Sequence, residues 1–121
     1  MGHVTLHLCD LPAPLSGVTD GRTVWLFDGL TQAQRRCVLA HELVHVRLGH
    51  GTRQPDAVER QVRAITARYL LPDIRAVGEV VAWAHDHDEA SEELWVTPGV
   101  LADRLEGMTG AEREWLSRRL A

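Results

Sequence analysis

Cysteine is scarce in this chain: Cys9 and Cys37 are the only two among 121 residues. A small fold stapled by disulfides carries more of them in a patterned spacing, so both thiols are expected free, in a reducing compartment. Long apolar runs are missing too. No stretch approaches the roughly 20 residues that a membrane-spanning helix needs. The opening MGHVTLHLCD has no charged segment leading into an apolar run, so it does not read as a secretory signal. Positive charge is not in excess: 13 Lys+Arg stand against 17 Asp+Glu, for a net charge of −4. That leaves neither a basic nucleic-acid footprint nor a polybasic membrane anchor. Repeats, linkers and low-complexity segments are absent as well. Together these absences predict a cytoplasmic protein with no direct nucleic-acid or membrane partner. What is present, 45% hydrophobic and 25% charged residues, is ordinary globular composition. The length suits one domain, residues 1–121, with one modest core.

Patterning divides that domain into three regions. Residues 1–30 read as a small antiparallel sheet. In HVTLHL, residues 3–8, His3, Thr5 and His7 alternate with Val4, Leu6 and Leu8, the period of a half-buried strand. Proline and glycine in DLPAPLSG then interrupt regular structure. GVTDGRTVWLFDG predicts a hairpin, with Asp20-Gly21 as the turn and Thr23–Phe27 as a strand. Residues 31–72 read as two helices. Thr31 and Gln34 form a capping box for the first, which runs to Leu48 and stops at Gly49. The second starts near Pro55 or Asp56, has Val58, Val62, Ile65 and Tyr69 at a helical spacing, and stops before Pro72. Residues 73–121 read as further helices over roughly 74–93, 98–106 (Thr97 as cap, Pro98 first) and 110–120 (Thr109 and Glu112 as a second capping box). Strands followed by helices make an α+β fold.

The chemistry is concentrated in CVLAHELVHVRLGH, residues 37–50. His41-Glu42-Leu43-Val44-His45 has the pattern HExxH. Residues four apart on a helix lie one above the other, so both imidazoles can face one ion, and neutral imidazole is a good zinc ligand. Glu42 projects beside that pair. It is placed to take a proton from a water held by the metal as that water attacks a carbonyl. At this chain's histidine and glutamate frequencies, chance would produce the pattern roughly 3% of the time, and its setting on a capped helix narrows that further.

Two histidines and a water are one ligand short of a catalytic zinc site. A short loop returns the second helix antiparallel to the first, which brings its first turns near His45. Glu59 shares a face with Val62, Arg63 and Thr66 and is the leading third ligand. Asp56, better suited to a cap, and Asp73, beyond the helix end, remain open.

LAHELVHVRLGHG followed by AVERQVRAITARYLLP resembles the ImmA/IrrE family of metallo-endopeptidases, most closely over residues 36–72, and the upstream TVWLFDGLTQAQRRCVLAHE also fits. The resemblance implies a small, intracellular zinc peptidase of bacteria, phages and mobile elements, of minimal gluzincin-like fold. It implies Zn2+ bound by His41, His45 and Glu59, with Glu42 as the base. It further implies a protein substrate, plausibly a helix-turn-helix repressor. Members often carry two acids in the second helix; here the second acidic place holds Gln61.

Several other residues are expected to be structural. His50 is read as a cation at a helix C-terminus, Cys37 as a buried thiol under the site, and HDHDE (85–89) as a solvated acidic face. Spacing does not select the oxyanion stabiliser among His85, His87, Tyr69 and an arginine. Thr23–Phe27 could double as an edge strand that pairs with substrate. Trp83, Trp95 and Trp115 read as packing anchors. SEELWVTPGVLADRLEGMT (91–109) has a helix-turn-helix flavour, but Glu92, Glu93, Asp103 and Glu106 would face phosphates with few compensating cations. The expected function is therefore zinc-dependent hydrolysis of a peptide bond. The alternative is a non-catalytic zinc-binding module that senses or tethers a regulator.

Overall fold

The computed structural model describes residues 3–51 and 54–121. In chain order its elements are β1 (Thr5–Cys9), β2 (Gly17–Thr19), β3 (Thr23–Phe27), α1 (Gln32–Arg47), α2 (Asp56–Leu70), α3 (Ile74–Trp83), α4 (His87–Glu93), α5 (Pro98–Glu106) and α6 (Gly110–Leu120). Three strands then six helices make the fold α+β.

The expected hairpin forms. β2 pairs antiparallel with β3, and Gly21 takes φ +96° at the turn. Asp20 Oδ1 accepts from the amides of Arg22 and Thr23 at 2.9 and 2.8 Å, which fixes the turn's shape. The sheet as a whole is not antiparallel. Its order is β1-β3-β2, and β1 runs parallel to β3, from Thr5 opposite Thr23 to Cys9 opposite Phe27. Parallel neighbours need a long crossover, and residues 10–22, which include β2, supply it.

This arrangement makes β3 the central strand. Val24 and Leu26 on its inner face are fully buried. Leu6 and Leu8 lie on the same face by register, yet they are about half exposed, because α1 covers β2 and β3 rather than β1. The alternation in residues 3–8 therefore marks an edge strand with little cover, not a half-buried one.

α1 starts with the predicted capping box, in which Gln34 N donates to Thr31 Oγ1 and Thr31 N donates to Gln34 Oε1. Its partner α2 buries Val62, Thr66, Ala67 and Leu70. Ile65 and Tyr69, which share the helical spacing of Val62, face outward, with Tyr69 71% exposed. The helical stretch expected over 74–93 is two helices. Ala84 is extended, and Asp86 starts α4 by accepting from Glu89 N at 2.9 Å. A good cap inside an otherwise helical pattern divides it.

The main core cluster joins Cys37 and Ala40 of α1 to Leu70, Leu71, Val77, Ala90, Val96 and Leu101. Of the expected tryptophan anchors only Trp115 packs inward. A Cβ at Gly78 would lie 2.5 Å from its ring, so the glycine makes room for α6 against α3. Trp83 and Trp95 are more than half exposed: one ends α3, and the other sits at φ +60° where the chain reverses after α4.

Arg104 is the largest fully buried side chain. Its Nε donates to the Leu71 carbonyl at 2.7 Å, and Nη2 donates to Glu112 at 2.7 Å, so α5 is tied both to the end of α2 and to α6. Arg68 donates to the same carboxylate at 2.8 Å. These two guanidinium groups, Arg104 first, hold the Glu112 carboxyl well below the usual range. Glu112→Ala strands a buried cation and is expected to lower stability by about 3–5 kcal/mol. Because the folded-state pKa is depressed, this contribution is complete above the ordinary value of 4.5 and is lost as pH falls below it. Urea denaturation should therefore show the gap between wild type and variant narrowing from about pH 6 to about pH 2.

Candidate metal centre

The end of α1 meets the start of α2, while Arg36 near the start of α1 donates to the Leu70 carbonyl at the end of α2, so the two helices run antiparallel. This packing brings the three expected ligands together. His45 Nε2 lies 2.7 Å from Glu59 Oε1, and His41 Nε2 lies 3.5 Å from Glu59 Oε2. All three donor atoms fall within 4.8 Å of one another, and the group could hold a metal ion. Two imidazoles and a carboxylate at this spacing suit a tetrahedral ion, whose ligand atoms stand roughly 3.3 Å apart for bonds of about 2.0–2.2 Å. Burial, and then the neighbouring His45, hold His41 below its ordinary pKa, which favours the neutral form that a ligand takes.

The alternatives for the third position are elsewhere. Asp56 is an exposed residue at the start of α2. Asp73 caps α3 through Arg75 N. Gln61 lines a separate depression beside Arg60. Positions 59 and 61 are about 200° apart around a helix, so only one of them can face α1.

Glu42 is buried between α1 and β2, and burial, then Glu59, push its carboxyl up to about 7. It lines a cleft of about 380 Å3 with His41 and Cys37. Pro14–Gly17 form one wall, and Thr97, Gly99, Val100 and Asp103 form the other. Arg63, one turn after Glu59, faces the same cleft, with Nε 4.0 Å from Asp103. Cys37 and Cys9 are free thiols, and Cys37 is buried, as expected.

Other sequence expectations change. Thr23–Phe27 is not an edge; the edge beside Glu42 is β2. Tyr69 lines a groove with Leu43, Val44 and Arg47 on the other flank of α1, outside the cleft. His85 and His87 are exposed and do not line it, and His85 pairs with Glu89 at 3.3 Å. Of the residues considered for the oxyanion, only an arginine, Arg63, borders the site. Its signal was its spacing, four residues after Glu59 and hence on the same helix face. His50 does more than follow the helix end: its Nδ1 lies 3.0 Å from His45 Nδ1.

An α+β fold with an HExxH helix and a carboxylate on the next helix defines a class of metallopeptidase-like proteins. The family model for the IrrE N-terminal-like domain (Peptidase_M78) matches residues 4–106, from the start of the sheet to the end of α5. The chain belongs to that peptidase family. No curated protein and no solved structure matches it.

Gly17 couples the sheet to the site. A Cβ there would lie 2.5 Å from Val38 Cγ1 and 3.4 Å from Glu42 Cγ. Gly17→Ala is expected to cost about 1–3 kcal/mol by forcing β2 away from α1, measured as a lower urea midpoint with an unchanged slope.

Proposed function

We propose that this chain is a zinc-dependent endopeptidase that hydrolyses a peptide bond in an intracellular protein. The observation that carries the proposal is the position of Glu42: a buried carboxylate that borders both the His41–His45–Glu59 group and an open cleft. Zn2+ held by those three residues would act as a Lewis acid and make water a nucleophile at neutral pH. Glu42 takes the proton of the attacking water and returns it to the leaving amine. Its raised pKa suits that exchange, and a cation bound nearby favours the carboxylate form that must act first. Arg63 faces the same cleft and supplies positive charge for the oxygen of the scissile carbonyl.

The free edge of β2 lies beside Glu42, so an extended substrate can add to it by main-chain hydrogen bonds. The family supports a protein substrate, and a helix-turn-helix repressor of a phage or mobile element is the proposed one.

Two measurements test this. Equilibrium dialysis against Zn2+ should show a sharp loss of affinity for Glu59→Ala and none for Gln61→Ala; equal effects would move the third ligand elsewhere. Glu42→Gln should keep its zinc yet cleave a repressor encoded beside this gene about 10²–10⁴-fold more slowly. Undiminished cleavage by that variant would remove Glu42 from its role. A zinc-loaded wild type that leaves the repressor intact would favour the alternative, a non-catalytic zinc-binding module.

A further inference from the structure

Gly49 ends α1 at φ +78°, and two hydrogen bonds close the turn: Gly49 N to Val46 O at 3.1 Å and His50 N to His45 O at 2.9 Å. This pair of bonds is the Schellman ending of a helix. It brings the residue after the glycine back over the helix's last turn, where an apolar contact usually forms. Here the two residues that meet are His50 and His45. Their rings stand 5.2 Å apart at 58°, and the contact is a hydrogen bond, Nδ1 to Nδ1 at 3.0 Å.

Which of those two nitrogens carries the shared proton depends on the tautomers. On its far side His45 Nε2 lies 2.7 Å from a Glu59 carboxylate oxygen. As a metal ligand through that nitrogen, His45 must present a bare Nε2, which leaves Nδ1–H to donate to His50.

We propose that His50 is the positioning residue of the metal site. This rests on the ligand set proposed above. When His45 binds the ion through Nε2, its Nδ1–H donates to His50 Nδ1, which fixes the ring's tautomer and its plane toward the ion, as partners of ligating histidines do.

Two-bond 15N–1H correlation spectra of the chain with one equivalent of Zn2+ read the His45 tautomer directly. The expected result is Zn2+ at His45 Nε2 with a proton on Nδ1 shared with His50. Zn2+ bound at His45 Nδ1, the nitrogen that faces His50, would overturn the inference and leave the metal site standing. No perturbation of His45 by Zn2+ would overturn the ligand set and the inference with it. In parallel, His50→Leu should weaken Zn2+ binding about 10–100-fold, with an unchanged urea midpoint. His50→Gln, whose side-chain carbonyl can accept from Nδ1–H, should restore most of that loss. Wild-type affinity in His50→Leu, or no rescue by His50→Gln, would remove His50 from this role.

Discussion

The antiparallel contact between α1 and α2 is the constraint on which the rest depends. Neither helix makes a site alone. α1 carries two imidazoles one turn apart, and α2 carries the carboxylate that lies 2.7 Å from one and 3.5 Å from the other. The register is set at both ends of the pair. At one end Arg36 bonds the Leu70 carbonyl and, through the same guanidinium, the Trp95 carbonyl at 2.7 Å. At the other end the Gly49 turn lets the chain reverse. Between them Cys37, Ala40 and Leu70 join the core, so a slip of one helix past the other would open the core as well as the site.

That contact also concentrates groups that the fold alone does not favour. Glu42 is a buried carboxylate with a raised pKa, and Glu59 sits close enough to raise it further. Burial and a second imidazole lower the pKa of His41. A divalent ion held there would favour the charged forms of both carboxylates, and its affinity would then be linked to folding stability. Elsewhere α5 and α6 are locked to α2 through Arg104 and Glu112.

Much of this was legible in the sequence, because the decisive signals are local. Capping boxes at Thr31 and Thr109, the Asp20-Gly21 turn and the stop at Gly49 depend on neighbouring residues and appear where expected. HExxH is a spacing on one helix, and Glu59 follows from a short loop and a helix face. What sequence patterning missed is set by long-range packing. It could not show that β1 pairs parallel at the edge of the sheet, and so it mistook exposed Leu6 and Leu8 for a covered face. It gave β3 the role of an edge that belongs to β2. It took Trp83 and Trp95, which are more than half exposed, for packing anchors, and overlooked Arg104, whose burial depends on a carboxylate eight residues away. His50 was within reach of a local argument, since a histidine in the slot of a Schellman ending meets whatever residue lies five positions earlier.

The central claim is a metal held by two imidazoles and one carboxylate at the junction of α1 and α2. Zinc K-edge X-ray absorption of the loaded chain tests it most directly. The account predicts scattering from two imidazole rings at about 2.0–2.1 Å with the remaining ligands oxygen. A sulfur shell at about 2.3 Å, which would place Cys37 on the metal, or a fit with no imidazole pair, would contradict it.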